Sequence, residues 1–303
     1  MKLFAPEYYK DFVCIADRCS HSCCVGWEID IDSATAEKYA SLGGSYAFDI
    51  RKSIDNGGDA PHFMLAENER CPHLNCEGLC RIIIEYGEGL LCDICREHPR
   101  FYNYTARGAE VGLGMACEEA CRIILASDNY KKVVAIGEID GEADTSADFD
   151  ALYHRERIYS VLSDGSLEYT ERLGRICEEY SLSPALLTDG ECRALLDSLE
   201  YLDEAHRELF CCYSSNTETP KDHEKMLERA LAYFIYRHLS SAHDEGELRE
   251  ALVFCLFCER LLASLLKSGE GDAAELARIV SEEIEYSEEN TEKIKFEYSF
   301  VIA

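Results

Sequence analysis

The stretch Cys14-Ile-Ala-Asp-Arg-Cys19-Ser-His-Ser-Cys23-Cys24-Val-Gly-Trp27 puts four thiols within eleven residues, and their reading decides what the chain folds around. Working outward, Cys71, Cys76 and Cys80 form a second block and Cys92 with Cys95 a third. Cys117 follows, with Cys121 one helical turn later. Thiols this dense either pair as disulfides or hold metal. The total of 17 cysteines is odd, 303 residues is far beyond the small secreted domains that need disulfide staples, and the opening Met-Lys-Leu-Phe-Ala-Pro-Glu has no apolar h-region. Metal ligation in a cytoplasmic chain is the expectation.

The adjacent pair Cys23-Cys24 bears on which metal. Neighbouring thiolates diverge from their backbone and chelate one tetrahedral zinc awkwardly, whereas an iron–sulfur cluster offers several irons to thiolates from irregularly spaced segments. Only His21, His73 and His98 lie near the blocks. This soft, thiolate-rich set favours an iron–sulfur cluster, of the 4Fe-4S kind. Zinc and purely structural thiols are the alternatives. A radical S-adenosylmethionine enzyme is not indicated. Cys19-x3-Cys23 runs straight into Cys24, Cys76-x3-Cys80 runs into Arg81-Ile-Ile-Ile84, and the later chain shows no alternation of strands and helices.

A composition of 47% hydrophobic residues supports a sizeable core in one large domain or two modest ones. The formal charge of −29 argues against nucleic acid and suits a basic, lysine-bearing protein partner. The longest apolar run, Ala251–Cys258, is too short to span a bilayer, so no membrane segment is expected.

The organisation expected is mostly α. Residues 1–127 form a cysteine-rich metal-binding domain, 128–150 an acidic loop or linker, and 151–303 a helical bundle. Met226, Leu227, Ala230, Leu231, Phe234, Ile235 and Leu239 recur at helical spacing. So do Leu248, Leu252, Cys255, Leu256, Leu262 and Leu266. Ala151–Leu162, Glu168–Tyr180, Glu191–Cys212 and Ala273–Ile284 complete about six helices, and Gly269-Glu-Gly271 stops the one before it. In the first part, Asp32 or Ser33 caps a short helix that Gly43-Gly44 ends. Phe101–Thr105, the turn Arg107-Gly108 and Glu110–Met115 read as a small β-hairpin, with Gly112 and Gly114 explained by turn geometry. Glu28, Asp30 and Asp32 alternate with Ile29 and Ile31 as a half-buried strand whose acidic face either is solvated or receives a lysine. Cys177, Cys192, Cys211, Cys212, Cys255 and Cys258 read as core thiols, and His238 as a satisfied core histidine.

With these residues in place the chain resembles the flagellin lysine-N-methylase family, part of a wider group with a cysteine-rich zinc/iron-chelating domain. The resemblance rests on Phe12-Val-Cys-Ile-Ala-Asp-Arg-Cys-Ser-His-Ser-Cys-Cys-Val-Gly-Trp-Glu-Ile-Asp-Ile31, Arg70-Cys-Pro-His-Leu-Asn75 and Gly78-Leu-Cys80. It continues through Leu91-Cys-Asp-Ile-Cys-Arg-Glu-His-Pro-Arg-Phe-Tyr102 and Gly112-Leu-Gly-Met-Ala-Cys-Glu-Glu119. It covers the first 125 residues or so.

The resemblance implies an iron–sulfur protein that methylates flagellin lysines with S-adenosylmethionine. The metal ligands it implies are Cys14, Cys19, Cys23, Cys24, Cys71, Cys80, Cys92, Cys95 and Cys117, more than one cluster needs, while Cys76 is a local extra. Arg96, His98, Arg100 and Tyr102, beside Cys95, are candidates for substrate or donor contacts; the two arginines equally suit neutralising an anionic centre. Trp27 either shields the centre or anchors the core. Two rival functions are a cluster-dependent redox enzyme that modifies peptides or proteins and a non-enzymatic metal-binding module.

Overall fold

From Ala151 onward, apolar side chains returning every three or four residues make helices, and helices dominate the chain: 55% of it is helical, alongside a small sheet. The computed structural model describes residues 1–27, 29–58, 60–143, 149–182, 188–215, 221–268 and 271–299. Glu28, residues 144–148 of the expected linker, and residues 269–270 of the expected helix stop lie outside them. No described helix is long and apolar enough to cross a membrane.

The chain divides into two compact units. One is Val13–Arg100; the other joins Met1–Phe12 to Phe101–Ala303. The expected boundary at residue 127 does not fall there. The hairpin and the helix Glu118–Ala126 belong with the helical bundle, because that helix buries Ala120, Cys121, Ile123, Ile124 and Leu125 in the bundle's core. The expected linker begins inside this unit too, since part of it is a strand.

The sheet of the larger unit explains why. Strands β1 (Lys2–Pro6), β4 (Arg100–Thr105), β5 (Gly108–Leu113) and β6 (Val133–Glu138) lie in the order β4-β5-β1-β6. β1 runs parallel to β5, with Leu3 opposite Ala109, and antiparallel to β6, with Ala5 opposite Val134. The hairpin read from the sequence is present. Its glycines, however, serve packing: a Cβ on Gly112 would lie 2.2 Å from the Phe101 ring, and one on Gly114 1.9 Å from Tyr286 Oη. Gly108 alone needs a left-handed backbone (φ 137°), and a Cβ there would strike the Lys2 carbonyl at 2.4 Å.

Every residue of β5 is buried, Glu110 included. Its carboxylate meets Arg155 of the helix Ala151–Leu162 through two hydrogen bonds, of 2.5 and 2.9 Å, and Ser240 also donates toward the guanidinium's partner at 3.4 Å. A fully buried pair of this kind is costly to break from one side.

The helices of this unit match the periodicity with two departures. Glu224–His238 and the 24-residue Glu245–Ser268 pack together at the centre, with Cys255 and Cys258 fully buried among them. The single helix expected over Glu191–Cys212 is two, Asp189–Asp197 and Glu204–Phe210. Ala273–Val280 gives way to a π turn at Ser281–Glu285 before a further helix, Glu288–Ser299.

The smaller unit has the short helices Ser33–Ser41, Ala47–Lys52, Arg81–Tyr86 and Asp93–Glu97, and the two-residue strands β2 (Ile54–Asp55) and β3 (His62–Phe63). Asp32 caps the first helix by accepting the Thr35 amide at 2.9 Å. Ile29 and Ile31 point into a small core with Tyr39, Tyr46, Ile50, Phe63, Ile82 and Leu91, and Cys71 and Cys92 complete it. Asp30 is exposed, as the alternation required, but the expected strand is absent from the described residues: only an isolated bridge joins Asp30 to His62, because Asp32 already caps the helix from Ser33.

Candidate metal centre

Three separate segments of the smaller unit bring thiols within electrostatic reach of one another. The bridge between Val25 and Arg70 sets Cys24 beside Cys71, whose amide donates to the Cys24 carbonyl at 2.8 Å. Beyond Cys71, Asn75 closes a tight loop by accepting the Glu77 and Leu79 amides at 2.9 and 2.8 Å, and the bridge from Leu74 to Cys80 returns the chain to its start. Cys80 then sits at the N-cap of Arg81–Tyr86, and Cys92 at the N-cap of Asp93–Glu97, with Cys95 one turn on. Asp32 ties this last turn to the first helix, its second oxygen accepting the Asp93 amide at 3.0 Å. The Tyr39 hydroxyl, underneath, donates to the Leu90 carbonyl at 2.9 Å.

The thiols feel one another. A hydrogen bond from Cys23, aided by Ser22 and the Arg70 charge, lowers Cys24 to about 7 against the opposing effect of burial. Cys95 holds Cys92 below the ordinary thiol range by donating to it, and the same bond, with burial, pushes Cys95 well up. Burial raises Cys71 to about 12, with Cys24, Cys80 and Cys92 adding to it. Cys80 is likewise raised by burial, while the Ile83 and Ile82 amides oppose. Cys24, Cys71, Cys80, Cys92 and Cys95 therefore form one electrostatic group, in which two thiols are lowered and three raised. Soft sulfur donors from three segments are the ligand type of an iron–sulfur cluster; among the described residues no three of them lie within 4.8 Å of one another, the closeness one tetrahedral zinc needs.

The other expected ligands are placed differently. Cys23 is exposed but bonded to Cys24. Cys19 donates to the His21 carbonyl at 2.8 Å. Cys14 and the extra Cys76 are exposed. Cys117 lies in the larger unit, half-buried against its core at the N-cap of Glu118–Ala126.

Among the histidines, His73 is spent on structure. The Tyr46 hydroxyl meets Nδ1 at 2.7 Å, the Ser53 hydroxyl meets Nε2 at 2.9 Å, and burial drops the ring to about 4. Burial, with Arg100 nearby, likewise drops His98 to about 4. Arg96 pairs with Asp93 and Glu97 on the outside of its short helix. Tyr102, 39% exposed, belongs to the larger unit, so the four candidates for substrate contact are divided between the two. The sequence reading missed Asp32, Tyr39, Tyr46 and Arg70 as supports of the centre. Only the proximity of Arg70 to Cys71 in the chain signalled any of them.

No family model matches the chain, and no solved structure matches it. Curated relatives do. The flagellar biosynthetic protein FliU of Salmonella muenchen is 27% identical over 141 residues, covering 44% of this chain and 80% of the relative. The lysine-N-methylases of Salmonella choleraesuis and Salmonella typhimurium are each 26% identical over 128 residues, which is 40% of this chain. The match spans 31% of the length of each methylase. What the chain shares with the lysine-N-methylases is a distant likeness over two-fifths of its own length.

Proposed function

We propose that the chain is a cytoplasmic iron–sulfur protein that methylates lysine side chains of a protein substrate, flagellin among the candidates. The observation that carries this reading is the convergence of Cys24, Cys71, Cys80, Cys92 and Cys95 in a unit too small to need five thiols for packing. The likeness to lysine-N-methylases supplies the reaction class. The five thiols would hold a cluster, with one sulfur beyond the usual four ligands. Bound there, the cluster supplies redox or Lewis-acid chemistry. Tyr39 and the Ile29–Ile31 face, buried in the same small core as Cys71 and Cys92, would shield it from water. The acidic surface suits a lysine-bearing partner.

S-adenosylmethionine enters through the resemblance alone. The space over Gly112 and Gly114 is filled by Phe101 and Tyr286, so these glycines form no nucleotide cradle. A second reading, a metal-binding module without enzymatic activity, is supported by the short span of each methylase that the chain matches.

The test is metal analysis of protein purified without oxygen, followed by methyl transfer from S-adenosylmethionine to a lysine peptide and to flagellin. Matching iron and acid-labile sulfide with broad brown absorption are expected. Cys24→Ser and Cys92→Ser should lose most of the iron, and Cys255→Ser should keep it. Zinc without sulfide sinks the cluster, and an iron-loaded protein that transfers no methyl group sinks the methylase.

A further inference from the structure

Away from the thiols, in the larger unit, one imidazole and two carboxylates meet where the helix Glu204–Phe210 faces the π turn Ser281–Glu285. His206 Nδ1 and one oxygen each from Glu282 and Glu283 all lie within 4.8 Å of one another. We propose that His206, Glu282 and Glu283 bind a divalent cation of the manganese class, a site distinct from the cysteine centre and independent of the function proposed above.

Several features build the site. Glu283 is 1% exposed, and a buried carboxylate is costly unless paired. Its partner is an imidazole: Oε1 lies 2.5 Å from Nδ1. Backbone amides fix both oxygens, with Leu202 donating to Oε2 at 2.8 Å and Asp203 to Oε1 at 3.2 Å, which is how outer contacts orient a metal-ligating carboxylate. Glu282 is steadied by Arg278, whose Nη1 lies 2.8 Å from Oε2. His206 and Glu282 are each 17% exposed, which leaves a path from solvent. A π turn often marks a helix shaped for a site. As the cation takes the place of the hydrogen between Nδ1 and Oε1, a neutral ring moves that proton to Nε2 and an imidazolium releases one to solvent, leaving Nδ1 as the ligand atom in both cases. One nitrogen and two oxygens suit Mn2+ better than the soft ions that the thiols attract.

Titration of the full-length protein, its cysteine centre as purified, with manganese(II) chloride, following free Mn2+ by electron paramagnetic resonance, tests this. The parent should take up one ion that is weakened at least about tenfold by His206→Ala and by Glu282→Gln, and left unchanged by His243→Ala, an exposed histidine elsewhere. Glu282→Gln guards against misfolding, because its amide oxygen still faces Arg278, which Glu275 also holds; its melting curve without Mn2+ should match the parent's. Equal uptake by all four proteins, or none by the parent at millimolar Mn2+, overturns the site.

Discussion

Glu259 sits in the middle of the helix Glu245–Ser268 at 1% exposure, its Oε1 accepting the Tyr169 hydroxyl at 3.0 Å. Burial raises its carboxyl from 4.5 to about 7, outweighing Tyr169 and Arg260. Between those two values the folded chain keeps a proton that the unfolded chain has lost. The contribution is therefore complete below pH 4.5 and is lost as pH rises to 7, a change on the order of 3 kcal/mol. Glu259→Gln keeps an acceptor for Tyr169 and removes the titration. In urea melts it should be about 1–3 kcal/mol more stable than the parent at pH 8 and equal to it near pH 4; an equal gap at both pH values contradicts this. At this scale the sequence told a good deal. Cys255 and Cys258 read as core thiols because every neighbour was apolar, and both are fully buried. His238 read as satisfied, and its Nε2 lies 2.6 Å from Glu285. A buried acid such as Glu259 gives no such sign, since a charged letter in a helical pattern reads as surface.

Between residue and fold, Asp32 does two jobs with one side chain, capping Ser33–Ser41 and holding the Cys92–Cys95 turn through the Asp93 amide. Asp32→Ala should cost about 1 kcal/mol of stability and loosen the metal. Asp32→Asn should restore the cap but not the metal, because its amide nitrogen cannot accept from Asp93. Melting curves beside metal content separate the two roles, and full metal retention in both variants would disprove the second. The cap was legible in the sequence and the long-range tie was not, since it joins positions sixty residues apart. Element ends followed the same rule. Ala151–Leu162 was readable to the residue, whereas the break between Asp197 and Glu204 was not. There Leu199 and Leu202 keep the helical spacing, and the break comes from Asp203 accepting the Ala205 amide as a new cap. The strand β1 escaped notice because it is short and finds its partners more than a hundred residues away.

Across the whole molecule, the two units have very different means of support. The larger holds most of the buried apolar side chains, and the smaller has a ten-residue core in which two members are cysteines. A core that small is marginal without a metal or staple. Chelation should therefore melt the smaller unit first, giving two thermal transitions in apo protein with most of the far-ultraviolet helix signal lost only in the second. A single transition in apo protein, at the temperature of the metal-loaded form, would count against this. The helical character and the clustering of cysteines were visible in the order of residues; the line between the units was not, because it depends on which side of the sheet the hairpin joins. Placing β1 inside the sheet, between β5 and β6, also sets an order of events during synthesis. The ribosome releases Met1–Phe12 well before its partners, and that segment has no strand to pair with in this sheet until residues 108–138 have emerged. The whole of Val13–Arg100 leaves the exit tunnel in between, so its cysteines reach solvent while the first strand still waits for its sheet.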